Sequence, residues 1–300
     1  MKKAFSVGAI FVFLFCFTVR AFPWGSATHA YIIDQFMRKA GPPRLMYGAM
    51  APDVFNYFFE DWTLRDQLYA MTHYKFLQVW NAAKGPSDRP SGYGFVSHNN
   101  EWGADSTAHL KSLTYLPDEG FVITKAKILW ELIKADFPFN DDLGVSVCHD
   151  VIEAAVDLLI KKLDANIGNR LIDSARSADK KILDLLNEAY LIDISLLVGS
   201  EALAKDLIAQ NEAGFRFAVL QLGNALKQKS PNDLNAMAAI FAALGQQAYG
   251  IEVSPAVVAA VLEAAMWVCT DPLFGPDCFN EIYATIDFVR LNLNAHGIYY

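Results

Sequence analysis

The residues best suited to chemistry are histidines and carboxylates in the first half of this 300-residue sequence. His98, Asp105 and His109 are separated by seven and four residues, and these offsets return to within about 20° of one direction on an α-helix. A helix over 95–112 would carry all three on one narrow stripe. Imidazole and carboxylate groups are ligands that zinc accepts. The spacing therefore predicts a metal site on one helical face.

A second predicted helix carries another pair of potential ligands. His149 and Glu153 are four residues apart and share a face of the strongly amphipathic segment 145–165. Three earlier segments add His29 in WGSATH, Asp53 in GAMAPDVF and His73 in MTHYKF. The whole set exceeds the needs of one tetrahedral zinc ion, so it predicts two or three ions with one carboxylate bridging them.

Each of these residues also has a simpler interpretation. A single histidine on a helix is more often packed or solvated than a ligand, and a lone His-x-x-x-Glu pair is more often a surface pair. Asp53 alone could cap a helix. The combined pattern uses every histidine except His296, and this favours a metal site.

Hydrophobic periodicity predicts an all-α fold, a multi-helix bundle with the metal cluster in its helical core. Helices are predicted over 26–39, 64–83, 95–112, 124–135, 145–165, 170–188, 192–209, 212–228, 232–249, 255–268 and 279–294, with a loop over 84–94. The apolar stretch 256–268 is short and contains Glu263, so it is expected to be a buried helix and not a membrane span.

The N-terminus has the features of a signal peptide. Lys2 and Lys3 precede an apolar run over 4–17, and small residues occupy the −3 and −1 positions of a cleavage site after Ala21. We therefore expect residues 1–21 to be removed and the protein to be exported, either to the periplasm or as a secreted protein. One domain would remain over 22–300, with the metal ligands in 24–153 and additional helices over 168–300.

Charge and cysteine content narrow the function further. Cleavage would leave 22 basic and 33 acidic residues, a net charge of −11, which argues against a broad nucleic-acid-binding surface. Cys269 and Cys278 flank a Pro/Gly-rich turn and are the plausible disulfide pair in an exported protein. Cys148 is then expected to be a buried free thiol.

The ordered segments carry a resemblance to a known superfamily. The matching residues are Trp24-Gly25 with His29, Gly48 to Asp53, His73, Gly94-Phe95-Val96-Ser97-His98, Ala104-Asp105 with His109, and His149 with Glu153. This order resembles the zinc-dependent phospholipase C superfamily. That superfamily includes bacterial zinc phospholipases C, the catalytic domain of glycosylphosphatidylinositol-specific phospholipase D, and S1/P1-type nucleases. The match covers roughly residues 24–153, and the Gly-x-Val-Ser-His segment followed by Ala-Asp is most similar to the phospholipase D branch.

The resemblance implies a site of three zinc ions in an all-α fold. The first ion would be held by Asp53, His73, His98 and Asp105, the second by His109, His149 and Glu153, and the third by His29, Asp105 and the backbone near Trp24. The family usually places the acid four residues after the histidine that corresponds to His98, so Glu101 is an alternative ligand to Asp105.

The function implied is a zinc-dependent phosphodiester hydrolase, most similar to phospholipase C. Hydroxide activated by the metal would attack the phosphorus of a phospholipid, with Asp53 as both ligand and base and with transient contact between the protein and a membrane surface. Asp150 and Asp157 are expected to accept hydrogen bonds from ligand histidines. Two alternatives stay open at this point. One is an S1/P1-type nuclease or nucleotidase on the same fold, and the other is a non-catalytic zinc-binding structural protein.

Overall fold

A computed structural model describes residues 24–37, 41–178 and 180–300, and the predicted signal peptide lies outside them. Over these ranges the chain is all-α, as predicted, with no strand. The helices are α1 (Ser26–Phe36), α2 (Pro43–Met50), α3 (Trp62–Tyr74), α4 (Leu77–Ala82), α5 (Arg89–His98), α6 (Ala104–His109), α7 (Phe121–Ile133), α8 (Asp141–Ile160), α9 (Ile167–Ser177), α10 (Lys180–Val198), α11 (Glu201–Leu226), α12 (Asn232–Tyr249), α13 (Pro255–Thr270) and α14 (Cys278–Ala295). Short 3-10 helices span Ala51–Phe55, Lys134–Asp136 and Pro272–Phe274.

Local sequence explains where several helices begin. The side chains of Asn140, Ser200 and Asp277 accept hydrogen bonds from backbone N–H groups in the first turns of α8, α11 and α14. Such caps satisfy donors that have no partner inside the helix. Among the helices of the described ranges, none has the length and apolarity that crossing a membrane requires.

The predicted continuous helix over 95–112 is wrong. Helix α5 ends at His98 and α6 begins at Ala104. Between them, the Asn99 side-chain oxygen accepts hydrogen bonds from three consecutive backbone N–H groups, those of residues 101 to 103. Asparagine side chains of this kind compete with the helical ladder for backbone donors, so the chain turns where periodicity alone predicted continuation.

Other boundaries also differ from the predictions. Residues 64–83 form α3 and α4, and the predicted loop over 84–94 becomes helical at Arg89, because Pro90 is tolerated in the first turn. The region predicted as three helices over 170–188, 192–209 and 212–228 also forms three helices, but with other boundaries. They are α9, α10 and the 26-residue α11. Gly199, with φ of 76°, follows the end of α10.

A close helix crossing positions the metal-binding segments. Helix α2 packs against α5, and a Cβ added at Gly48 would lie 2.3 Å from the carbonyl oxygen of Ser91. A Cβ at Gly94 would lie 2.2 Å from the carbonyl oxygen of Leu45. Only glycine permits this approach of two backbones. It brings the C-terminal end of α2, and the 3-10 helix that follows it, beside the end of α5.

The disulfide predicted between Cys269 and Cys278 is not formed. Both are buried free thiols, and Cys148 is buried and free as expected. The turn that joins α13 to α14 is held instead by the Lys125 ammonium group, which donates to the carbonyls of Val268 at 3.0 Å and Phe274 at 2.9 Å.

Candidate metal centre

Eight side chains from six elements converge in the interior of the first half of the chain. We call them the His/carboxylate cluster, and they are His29 of α1, Asp53 of the first 3-10 helix, His73 of α3, His98 of α5, Asp105 and His109 of α6, and His149 and Glu153 of α8. Seven of them are buried and His109 is partly buried. These are the side chains that the sequence pattern singled out.

Four members of the cluster lie at the separations expected of ligands around one ion. The Nε2 atoms of His73 and His98 are 3.2 Å apart. Asp53 Oδ1 lies 3.4 Å from the first of these nitrogens and 3.6 Å from the second. The two oxygens of Asp105 each approach one of these nitrogens. Oδ2 lies 3.4 Å from His73 Nε2, and Oδ1 lies 3.4 Å from His98 Nε2. Tetrahedral zinc with bonds of about 2.0–2.1 Å separates its ligand atoms by roughly 3.3 Å.

A second group forms the other end of the cluster. His109 Nε2 lies 3.0 Å from His149 Nε2 and 3.7 Å from Glu153 Oε1. His149 Nε2 lies 3.3 Å from the same carboxylate oxygen, across one turn of α8. Three ligand atoms at these separations could hold one metal ion together.

Asp105 lies between these groups. Its Oδ1 is 3.4 Å from His29 Nε2 and 3.4 Å from His98 Nε2. Its Oδ2 is 3.4 Å from His73 Nε2 and 3.7 Å from His109 Nδ1. One carboxylate therefore faces four imidazole rings, two through each oxygen, which is the placement of a bridging ligand.

Several of these atoms lack hydrogen bonds although they are buried. Within the described part of the chain, both oxygens of Asp105, Nε2 of His29 and Oε1 of Glu153 have no hydrogen-bond partner. An unsatisfied buried polar atom costs about 1–3 kcal/mol, so four in one cluster are costly unless something else coordinates them. Buried imidazole and carboxylate groups facing a common point fit a metal ion, and this cluster can hold one.

Backbone carbonyls orient two of the imidazole rings. The Nδ1 atom of His98 lies 2.7 Å from the carbonyl oxygen of Ala49, and that of His73 lies 3.0 Å from the carbonyl oxygen of Tyr69. Donation from Nδ1 leaves the Nε2 lone pair directed into the cluster, which is the tautomer that a metal requires. Sequence reasoning missed these acceptors because main-chain carbonyls carry no residue signature.

Burial and the charges of neighbouring members shift the pKa values within the cluster. Burial, reinforced by the nearby carboxylates of Asp150, Asp105 and Asp53, raises the pKa of Glu153 well above its usual range. Burial, followed by the charge of His98, lowers the pKa of His29 to about 4. Burial alone would lower the pKa of His98, but Asp105 and Asp53 raise it to about 9. A bound cation would compensate the carboxylates directly.

The two supporting carboxylates differ, because the prediction for Asp157 is wrong whereas Asp150 contacts His149 as predicted. Asp157 does not contact a ligand histidine. It accepts hydrogen bonds from the backbone N–H groups of Ala27 at 3.0 Å and Thr28 at 2.8 Å, and from the Thr28 hydroxyl at 2.8 Å. It therefore caps α1 from a distant helix and holds the turn just before His29. Asp150 Oδ1 is 3.5 Å from His149 Nδ1, a marginal contact, and its other oxygen accepts from the Tyr249 hydroxyl at 2.8 Å.

The structure distinguishes between Glu101 and Asp105, the two candidate acidic ligands that follow His98 in the sequence. Glu101 is exposed in the turn between α5 and α6, whereas Asp105 is fully buried within the cluster.

Trp24 is also buried, with its ring stacked on Phe121 and its Nε1 donating to the Thr107 hydroxyl. The role predicted for the backbone near Trp24 stays a prediction.

In comparisons with known proteins, no family model, no curated protein and no solved structure matches this chain. The resemblance noted in the sequence therefore rests on the residues themselves and on their convergence in the fold.

Proposed function

We propose that this protein is a zinc-dependent phosphodiester hydrolase of the phospholipase C type. The observation that carries the proposal is that two members of the cluster line a cavity. Asp53 and Glu153 belong to the cluster and also line a cavity of about 550 Å³ whose other walls are largely apolar. A buried multinuclear site beside an apolar cavity suits a substrate that combines a phosphate with a hydrophobic part.

The donor set favours zinc, in two or three ions. Five imidazoles and three carboxylates offer nitrogen and oxygen ligands, which zinc binds at about 2.0–2.2 Å. When bound, zinc ions polarise phosphoryl oxygens and lower the pKa of water toward neutrality. Asp105 would hold two ions at a fixed separation through its two oxygens.

Asp53 is the residue best placed to move a proton. It lies in the cavity wall, contacts His73 and His98, and accepts a hydrogen bond at 2.7 Å from the Asn56 side-chain amide. A carboxylate within hydrogen-bond reach of an attacking nucleophile can accept its proton as a general base. The Asn56 amide fixes the carboxylate orientation while it does so.

The other two functions have less support. A nuclease would need a path for a polyanionic strand, yet the cavity is bounded largely by aliphatic and aromatic side chains and the chain is acidic. A structural zinc protein was suggested by the unusual spacing of Glu101 and Asp105. The burial of Asp105 among four histidines removes the reason for that suggestion.

Zinc content and substrate preference test the proposal together. We expect two or three zinc ions per exported chain and loss of zinc in a His98→Ala, His149→Ala double variant. His296→Ala is the matched control, because His296 is exposed at the end of α14. Hydrolysis of phosphatidylcholine in preference to short single-stranded DNA would support the phospholipase assignment. Zero or one zinc ion in both the wild type and the control would overturn it.

A further inference from the structure

The cavity beside the cluster extends far beyond the metal-binding residues. Residues of α8, α11, α12 and α13 contribute much of its wall. Its wall includes aromatic side chains, namely Tyr57, Trp130, Phe137, Phe139, Phe215 and Phe241. The C-terminal half of the chain, which supplies no member of the cluster, therefore supplies much of the cavity wall.

Small residues leave part of the space open. Ala154 of α8, Ala218 of α11 and Ala242 of α12 line the cavity. These residues keep three facing helices from filling the space between them. Apart from Asp53, Asp150, Glu153, Asp157, Gln221 and Gln247, the lining is largely apolar and offers few polar partners for ordered water, so an apolar ligand suits most of the cavity.

The wall of the cavity is chemically mixed. The carboxylates of Asp53 and Glu153 line it. Phe217 and Val257 also line it and are 62% and 42% exposed, so apolar residues of the wall reach the surface. A molecule that combines a phosphate with a hydrocarbon chain matches this combination.

The volume is large enough for a hydrocarbon chain. If a methylene group takes about the liquid share of one water molecule, roughly 30 Å³, a cavity of about 550 Å³ holds on the order of 18 of them. This space is sufficient for one long acyl chain.

We propose that this cavity binds one long acyl chain of the phospholipid substrate, with the phosphate at the His/carboxylate cluster. The phospholipid in this proposal rests on the proposed function, but the binding of an acyl chain can be measured without catalysis. Helices α11 to α13 then determine the preferred length of the acyl chain, because the apolar area that is buried in the cavity increases with the length of the chain. Each buried methylene strengthens binding by about four-fold, so affinity should rise steeply with chain length until the cavity is full.

Two filling variants test the proposal. Ala218→Trp places an indole in the cavity from α11, and Ala242→Phe narrows it from α12. Ala213→Trp is the matched control, since Ala213 lies on α11 and is exposed outside the cavity wall. Binding is measured with a pyrene-labelled hexadecanoate, and hydrolysis with phosphatidylcholines of six-carbon and sixteen-carbon chains. Circular dichroism and thermal unfolding check that each variant is folded.

We expect each folded filling variant to bind the pyrene probe at least ten-fold more weakly than the wild type, while Ala213→Trp binds it normally. The filling variants should lose hydrolysis of the long-chain lipid and keep that of the short-chain lipid. Equal probe binding by the wild type and both filling variants would overturn the acyl-chain site. Loss of probe binding in the filling variants, with no phosphodiester hydrolysed by the zinc-loaded wild type, would sustain the acyl-chain site and overturn the proposed function alone.

Discussion

The two halves of the chain use their interiors differently. In residues 24–160 the interior holds most of the buried polar and charged side chains of the described residues, including the whole His/carboxylate cluster. In residues 167–300 the interior is mainly Ala, Leu, Ile and Val. Burying charge is costly unless each group is paired or coordinated, whereas apolar burial stabilises without directional constraints. The first half is therefore built around the buried His/carboxylate cluster, and the second around packing and the cavity.

This difference explains how the segments of the first half are joined. Six short elements must deliver side chains to one point, so their ends are set by turns, close backbone crossings and carbonyl contacts. The second half consists of longer helices such as α10, α11 and α12. They need only to present an apolar face, and their exact boundaries matter less for the chemistry.

The largest effect should come from Asp105→Asn, which weakens the bridge between the metal groups while keeping its shape. Neutralising the residue that faces four imidazoles should remove at least one bound metal ion and lower hydrolysis by more than about 100-fold, the upper range for residues that only support ligands. Metal analysis and initial rates measure this. Glu101→Gln is the control, and a larger loss in that variant than in Asp105→Asn would assign the ligand to the exposed residue.

Removal of the metal should destabilise the first half selectively. At a free metal concentration of 1,000 times Kd, binding adds about 4 kcal/mol to stability, and a chelator removes this contribution. Hydrogen exchange should then accelerate in α1, α5 and α6 more than in α12 and α13. The chelator should have no effect on the His98→Ala, His149→Ala variant. Uniform acceleration throughout the wild type would show that the two halves unfold as one unit.

A carboxylate of the second half stabilises the segment that follows α6. Glu281 of α14 is fully buried and accepts hydrogen bonds from the Ser112 hydroxyl, from the backbone N–H groups of Leu113 and Thr114, and from the Thr114 hydroxyl. Glu281→Gln replaces one acceptor oxygen by a donor, so we expect a loss of about 3 kcal/mol in unfolding free energy. Urea denaturation measures it.

Asp287→Asn on the same helix is the control, because its side chain is 75% exposed, and it should change stability by less than about 0.5 kcal/mol. Similar losses of unfolding free energy in both variants would mean that the hydrogen bonds of Glu281 do not stabilise the contact between the two halves.

The identity of the candidate ligands could be predicted from the sequence because it depends on residue type and local spacing. His149 and Glu153 share a face of α8 simply because they are one turn apart. The set of five histidines also indicated more than one ion before any fold was known. These inferences use information carried by the residues themselves.

The arrangement around the ligands could not be predicted in the same way. His98 and Asp105 were expected on one helix, but they meet because the Asn99 side chain turns the chain between α5 and α6. The cavity depends on which faces of α8, α11, α12 and α13 meet, and residues far apart in sequence determine this. Hydrophobic periodicity reports that a helix has a buried face but not what lies opposite it.

The smallest expected effect concerns Asp157, which caps α1 from within α8. Asp157→Asn keeps the size of the side chain but replaces one acceptor oxygen by a donor and removes the charge at the N-terminus of α1. We expect a loss of about 1–2 kcal/mol in unfolding free energy, with weaker metal binding at His29, since the capped turn immediately precedes it.

The group of His109, His149 and Glu153 should keep its ion, because none of these residues is held by Asp157. Asp142→Asn, an exposed change in the first turn of α8, is the control for urea denaturation and metal analysis. Loss of every ion in Asp157→Asn would show that the two metal groups of the first half assemble together.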